Sequence, residues 1–122
     1  MAKNIMIVDD SASLRQVVSI ALKSAGYDVT EACDGKDALT KLDGRKLHLI
    51  ISDVNMPNLD GIGFVKAAKQ LPAYKFTPVI MLTTEAGEDK KAAGQAAGAK
   101  AWVVKPFQPA QMLTAVSKLV LP

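Results

Sequence analysis

The stretch Leu47-His48-Leu49-Ile50-Ile51-Ser52-Asp53 decides the fold, because large aliphatic residues run almost without interruption into a carboxylate. A short apolar run of this length is consistent with a buried strand. The carboxylate at its end predicts that the strand emerges there at the edge of a sheet, because burying an unpaired charge inside the sheet is costly. Asp53 is therefore the first candidate for a functional side chain.

Three other apolar runs end in the same way, and the side chains that follow them are Asp9-Asp10, Thr83 and Lys105. If the four strands are parallel and adjacent, these side chains meet Asp53 beyond the carboxyl ends of the strands. Three carboxylates, a hydroxyl and an ammonium in one place can hold a divalent cation and a phosphoryl group. The pattern therefore predicts both a sheet and a site at its edge.

Stretches with helical periodicity separate the apolar runs, and a further short strand is expected at Asp28–Ala32. Helices are predicted at residues 13–25, about 38–44, 62–71, 88–97 and from Pro109 onward. Asp34-Gly35 indicates a turn, and Gly26 indicates a helix end. Helix 88–97 is weak by composition, since it has no large aliphatic residue and contains Gly94. The βα unit, repeated five times, predicts an α/β fold: a doubly wound five-stranded parallel sheet with helices on both faces.

The composition is that of one soluble domain, with 122 residues of which 49% are hydrophobic and 22% charged. No apolar run approaches the roughly 20 residues that span a bilayer, and no signal peptide is visible. The single Cys33 cannot form an internal disulfide, which agrees with a reducing compartment, so a cytoplasmic location is expected. The net charge of +3 is spread along the chain, as on solvated helix faces, although an acidic partner surface is the alternative.

The motifs of one family are similar to three segments: Ile7-Val8-Asp9-Asp10-Ser11, Asp53-Val54-Asn55-Met56-Pro57 followed by Asp60-Gly61, and Val103-Val104-Lys105-Pro106-Phe107. In this order and at this spacing they resemble the receiver domains of two-component response regulators, over essentially the whole chain. The resemblance implies a flavodoxin-like strand order and a single receiver domain over residues 1–122, with no output domain. It also implies a cis peptide bond between Lys105 and Pro106.

The resemblance assigns phosphorylation to Asp53. Its carboxylate would act as the nucleophile and form an acyl phosphate, and the catalytic side chains Thr83 and Lys105 would contact phosphoryl oxygens. Mg²⁺ is the implied cofactor, because it prefers oxygen ligands from carboxylates, waters and phosphates. Its implied ligands are Asp10, Asp53 and the backbone carbonyl of Asn55 directly, and Asp9 chiefly through water.

Each of these residues also has a simpler interpretation when taken alone. Asp9 or Asp10 could cap the following helix, since aspartate is a favoured N-cap. Thr83 could be only a strand former, and Lys105-Pro106 only a loop. Their joint occurrence with Asp53 favours the phosphoryl site.

A conformational switch is implied at Thr83 and Trp102, because a receiver signals when the threonine moves toward the phosphate and an aromatic side chain on the last strand turns inward. Chemotaxis receivers commonly have tyrosine at the position of Trp102, so the chain departs from the pattern there, and a fixed, half-buried strand residue is the alternative. Asn55 and Glu85 are implied to tune hydrolysis of the acyl phosphate, with a lifetime of seconds to minutes. The implied partner surface is formed by helix 88–97, the last strand and the last helix, with Trp102, Val104, Phe107 and Gln108 on or beside it.

The expected function is that of a stand-alone response regulator and not of an enzyme with turnover. A histidine kinase similar to the chemotaxis kinase would supply the phosphoryl group, and a flagellar motor switch component would be the target of the phosphorylated monomer. Neither nucleic-acid binding nor membrane insertion is expected. The alternatives are a phosphate sink, a regulator of another output, or an aspartyl phosphatase of the haloacid dehalogenase type, which would need a second aspartate where the chain has Asn55. A flavin-binding domain has less support, since Asp9-Asp10 replaces a phosphate-binding loop.

Overall fold

The computed structural model describes residues 3–54, 59–83, 98–105 and 108–120. Their helices and strands follow in the order β1 Asn4–Val8, α1 Ala12–Ser24, β2 Asp28–Ala32, α2 Gly35–Thr40, β3 Leu49–Asp53, α3 Gly61–Lys69, β4 Val79–Thr83, β5 Ala101–Val104 and α4 Pro109–Leu119. Several predictions fall outside the described residues: helix 88–97, the peptide bond between Lys105 and Pro106, and the roles of Asn55, Glu85 and Phe107.

The five strands form one parallel sheet in the order β2-β1-β3-β4-β5. The chain moves from β1 to one side for β2 and then to the other side for β3, so the strand order reverses between β1 and β3. In doubly wound folds this reversal opens a crevice at the carboxyl ends of the two strands. Asp9 directly follows β1 and Asp53 ends β3, so the predicted site residues lie at this crevice.

Side chains alternate between two hydrophobic cores, one on each face of the sheet. Along β1, Met6 and Val8 belong to the core that contains Phe64 of α3, whereas Ile5 and Ile7 belong to the core that contains Leu22 of α1. The same alternation runs through β3 and β4, whose residues are all buried. Helices on both faces explain why these strands are apolar throughout, and the predicted fold class is confirmed.

Helix boundaries differ from the sequence-based expectations at three places: the start of α2, the end of α2 and the end of α3. The predicted turn at Asp34-Gly35 is the start of α2: Asp34 is the N-cap, and its side chain accepts a hydrogen bond from the Asp37 backbone N–H at 2.7 Å. A capping aspartate and a turn aspartate have the same sequence signature, which explains the error. Helices α2 and α3 end at Thr40 and Lys69, before the predicted ends. Gly26 has φ +96, which confirms it as the end of α1.

The longest described helix, α1, has 13 residues. None of the helices within the described ranges is long and apolar enough to cross a membrane.

Candidate functional site

Asp9, at the end of β1, is fully buried and held from two sides. Its Oδ1 accepts a hydrogen bond from the Ser11 backbone N–H at 2.8 Å, and its Oδ2 accepts one from Lys105 Nζ at 2.9 Å. The next residue, Asp10, is exposed. The pair therefore supplies one carboxylate oriented by hydrogen bonds and one that faces solvent at the mouth of the crevice.

The N-cap of α1 is Ser11, whose side chain accepts a hydrogen bond from the Leu14 backbone N–H at 3.3 Å. The alternative in which Asp9 or Asp10 caps this helix is therefore wrong. Because a serine satisfies the free N–H of the first turn, neither aspartate is used for that purpose. Both carboxylates are therefore available to interact with a cation or with Lys105 at the carboxyl end of the sheet.

Asp53 ends β3 with only 5% of its surface exposed. One carboxylate oxygen each from Asp9, Asp10 and Asp53 lies within 4.8 Å of the other two. Burial raises the pKa of the Asp53 carboxyl, and the negative charge of Asp9 raises it further, while Lys105 acts in the opposite direction. The crevice thus concentrates negative charge that a cation would stabilise.

Lys105, directly after β5, is the positive charge of the site. Its Nζ lies 2.9 Å from Asp9 Oδ2 and 3.3 Å from Asp53 Oδ1. Desolvation lowers the pKa of this ammonium, but the hydrogen bonds and charges of the two carboxylates outweigh it, so the net pKa is raised. Lys105 is therefore protonated at neutral pH and joins the ends of three strands.

Thr83, the last residue of β4, is fully buried. Its carbonyl accepts a hydrogen bond from the Lys105 backbone N–H at 2.6 Å, and it pairs with Val104 across the β4–β5 ladder. The structure therefore brings Asp9, Asp10, Asp53 and Lys105 into direct proximity and places Thr83 at the same edge, beside the lysine. This is the arrangement that the strand ends predicted.

A divalent cation fits these residues. Mg²⁺ takes oxygen ligands at about 2.1 Å in octahedral geometry, so the oxygens around one ion lie within about 4.2 Å of each other. The three carboxylate oxygens, within 4.8 Å of one another, need only small adjustments to reach one ion. The raised pKa of Asp53 points the same way, since a cation would relieve the repulsion between neighbouring carboxylates.

Two residues that support the site were not identified from the sequence as supports. Arg15 of α1 donates a hydrogen bond from Nη1 to the Asp9 carbonyl at 2.6 Å, and its Nε lies 3.4 Å from Glu31 Oε1. Gly61, at the start of α3, packs so closely that a Cβ built on it would lie 1.9 Å from the carbonyl oxygen of Asp53. The Asp60-Gly61 motif was visible in the sequence, but its contact with the end of β3 required the fold.

Trp102 pairs with Met81 across the sheet and packs, partly buried, against the core that contains Phe64. Its indole Nε1 is buried and has no hydrogen-bond partner among the residues that the structure describes. Val104 is 40% exposed, and Gln108, the N-cap of α4, is exposed. The indole is thus already partly inside, while its two neighbours in the predicted partner surface remain accessible.

A doubly wound parallel sheet with three carboxylates and a lysine at its switch point defines an α/β protein with a candidate cation site at a strand end. The family model of the response regulator receiver domain matches residues 5–117, and the chain belongs to this family.

Known relatives agree with this assignment. The chain is similar to the chemotaxis protein CheY4 of Vibrio cholerae, at 47% identity over 98% of this chain and 99% of the other, with a TM-score of 0.94. It is also similar to the chemotaxis protein CheY1 of Helicobacter pylori, at 37% identity over 96% of this chain and 95% of the relative. A third similar structure is the receiver domain of a sensor histidine kinase from Pseudomonas aeruginosa, which has a magnesium ion coordinated in its active site cleft. That likeness has 25% identity, a TM-score of 0.90, and covers 98% of both chains.

Proposed function

We propose that Asp53 accepts a phosphoryl group in a Mg²⁺-dependent reaction and that the phosphorylated chain signals by contact with other proteins. The observation that carries this proposal is the cluster of Asp9, Asp10 and Asp53 within 4.8 Å, closed on one side by Lys105. In transfer to a carboxylate, the barrier arises mainly from positioning and charge repulsion. Carboxylates that can bind Mg²⁺, together with a lysine, would position the phosphoryl group and reduce the charge repulsion.

In the proposed reaction a carboxylate oxygen of Asp53 forms a bond to phosphorus while the bond between phosphorus and the donor breaks. With a phosphohistidine donor, the leaving imidazole nitrogen keeps the bonding electron pair and takes up a proton. Bound Mg²⁺, held by Asp10, Asp53 and the Asn55 carbonyl with Asp9 acting chiefly through water, would neutralise charge on the phosphoryl oxygens. The product is an acyl phosphate on Asp53.

Lys105 and Thr83 are the proposed partners of the phosphoryl oxygens. Lys105 already contacts the Asp53 carboxylate at 3.3 Å, so its ammonium would be within reach of a phosphoryl oxygen once the acyl phosphate has formed. The Thr83 hydroxyl would donate a hydrogen bond to a second oxygen. Asn55 and Glu85 would tune the rate at which water later hydrolyses the acyl phosphate, and so its lifetime.

Chemotaxis is the proposed setting, supported by the two chemotaxis relatives. The proposed donor is a histidine kinase and the proposed target a component of the flagellar motor switch. The partner surface would include Val104 and Gln108, which are exposed, together with Trp102 and Phe107. A role as a phosphate sink, or as regulator of another output, would use the same chemistry at Asp53.

Incubation with a small acyl phosphate and Mg²⁺ tests the chemistry. Intact mass measurement should show one added phosphoryl group on the wild type and none on Asp53→Asn. Asp28→Asn is the matched control, because Asp28 is an exposed aspartate at the opposite end of the sheet. Phosphorylation of Asp53→Asn at the wild-type rate, or sustained turnover of phosphomonoesters by the wild type, would contradict the proposal.

A further inference from the structure

A row of lysines lies along the amino edge of the sheet, opposite the acidic site. We call it the basic edge and define it as Lys3, Lys46, Lys75, Phe76 and Lys100. Lysines in the last turn of a helix stabilise the helix dipole, but all four of these lie outside the helices, in the segments that precede β1, β3, β4 and β5. Helix stability therefore does not account for them.

Hydrogen bonds hold three of these segments together at the amino edge of the sheet. Asn4 Nδ2 donates to the Lys46 carbonyl at 3.3 Å, which fixes this loop beside the start of β1. The buried Tyr74 hydroxyl accepts from the Gly44 N–H at 3.0 Å and donates to the Arg45 carbonyl at 2.8 Å. The segment with Lys75 and Phe76 is thereby fastened to the loop before β3.

The positive charges of the basic edge are only partly balanced locally. Within the described part of the chain, none of its four lysines forms an ion pair. Of the nearby carboxylates, Asp43 is paired with Arg45 at 3.1 Å. Asp28 is exposed and its backbone N–H donates to the Lys3 carbonyl at 2.9 Å, so its charge can offset one of the four lysines. Burial lowers the pKa of His48, and the charges of Lys3 and Lys46 lower it further, in agreement with the lysines placed at this edge.

Phe76 adds an apolar group to this charged surface. Its side chain is 87% exposed, with Lys75 Nζ 5.6 Å from the ring centroid. An aromatic ring of this size usually lies inside a domain or against a partner, because exposing it to water is unfavourable. Its position beside Lys75 in the segment before β4 indicates that the partner surface is both anionic and partly apolar.

We propose that the basic edge binds the surface of an anionic lipid bilayer, with the Phe76 ring at the level of the headgroups. A planar anionic surface matches charges that are spread along four strands of a sheet, and each lysine near such a surface adds to the affinity. The carboxylates of Asp9, Asp10 and Asp53 lie at the opposite edge, so repulsion from the lipid turns the phosphorylation site toward solvent. This binding is peripheral and independent of the phosphorylation state of Asp53.

Sedimentation with vesicles of phosphatidylglycerol mixed with phosphatidylcholine tests the proposal, with vesicles of phosphatidylcholine alone as the neutral comparison. Binding to the mixed vesicles should be stronger and should fall as salt is added. The double variant Lys75→Gln with Lys100→Gln should lose roughly 25-fold in affinity, about fivefold per lysine. Phe76→Ala should lose roughly tenfold. Lys36→Gln, an exposed lysine in the first turn of α2 at the other edge, should bind like the wild type.

Each variant should retain the wild-type unfolding midpoint and rate of phosphorylation at Asp53, which separates this test from that of the proposed function. Equal binding to both kinds of vesicle would overturn the proposal, and so would an equal loss in Lys36→Gln. Tighter binding to polyglutamate or to duplex DNA at the same ionic strength would also overturn it, because the basic edge would then serve a different class of partner.

Discussion

Gly61 is predicted to set the position of Asp53, and substitution by alanine tests this directly. An ideal Cβ at Gly61 would lie 1.9 Å from the Asp53 carbonyl oxygen and 3.0 Å from Val54 Cα, both backbone atoms that cannot rotate away. To reach even the shortest tolerated contact of 3.0 Å, α3 and the end of β3 must separate by about 1.1 Å. That movement also strains the 2.8 Å hydrogen bond from the Gly61 N–H to the Val54 carbonyl.

Gly63→Ala is the matched control, since it lies in the same helix. Its Cβ would meet Leu59 Cδ1, the end of a flexible side chain, at 2.9 Å. It would also lie 3.2 Å from Asp60 Oδ1, the N-cap oxygen of α3, which accepts a hydrogen bond from the Gly63 N–H at 2.7 Å. Overpacking against rigid atoms typically costs 1–3 kcal/mol, so Gly61→Ala should be less stable than Gly63→Ala by about 2 kcal/mol. A shift of about 1 Å in a reacting group can lower a rate by about 10²-fold.

Two assays check the prediction: urea unfolding, and the initial rate of phosphorylation by a small acyl phosphate with Mg²⁺. Gly61→Ala should show a lower unfolding midpoint and a rate lower by about 10²-fold, measured where the variant is fully folded. Gly63→Ala should stay close to the wild type in both. If the two variants lose stability and rate equally, the contact with Asp53 does not have the role that the geometry indicates.

Three further predictions concern the site. The pKa of Asp53 is raised in the folded state, so burial of this carboxyl destabilises the fold once the carboxyl is ionised. Asp53→Asn should therefore be more stable than the wild type at neutral pH. This gain in stability should vanish below the unfolded pKa of 3.8, where the wild-type carboxyl is protonated in both states. A gain that persists at pH 3 would contradict this. Mg²⁺ at about 100 times its Kd should stabilise the wild type by about 2.7 kcal/mol, measured by thermal unfolding, and the effect should be lost in Asp10→Asn. Addition of Mg²⁺ with a beryllofluoride phosphate mimic should change the emission of Trp102, whose indole nitrogen is buried without a partner in the described residues; an unchanged spectrum would indicate a fixed strand residue.

The fold could be predicted because burial on both faces leaves a strong pattern in the sequence. The uninterrupted apolar runs of β3 and β4 specify strands covered by helices on both sides, and the polar residues after them mark one edge. The helix ends were less predictable. Asp34 has the same local signature whether it begins a turn or caps a helix, and only the hydrogen bond to Asp37 decides between the two.

The site was predictable as a set of strand ends but not as a set of contacts. The apolar runs, together with parallel strand pairing, predict the common location of Asp9, Asp53 and Lys105. The sequence pattern does not predict that Ser11, and not Asp9, caps α1, because both residue types can cap a helix. The role of Gly61 depends on how close α3 approaches β3, a distance that no local pattern encodes. The basic edge was also missed, since its lysines are far apart in the sequence and come together only when the strands align.

Lys105 connects the charge of the site to the part of the fold that partners can reach. Its ammonium contacts Asp9 and Asp53, and its backbone N–H is bound to the Thr83 carbonyl at 2.6 Å. A phosphoryl group on Asp53 would replace one contact of the ammonium, while the backbone bond keeps the residue attached to the end of β4. Any displacement of Lys105 is therefore shared between β4 and β5, where the adjacent Val104 is 40% exposed. A local change of charge at Asp53 thus has a short covalent and hydrogen-bonded route through Lys105 to the exposed Val104.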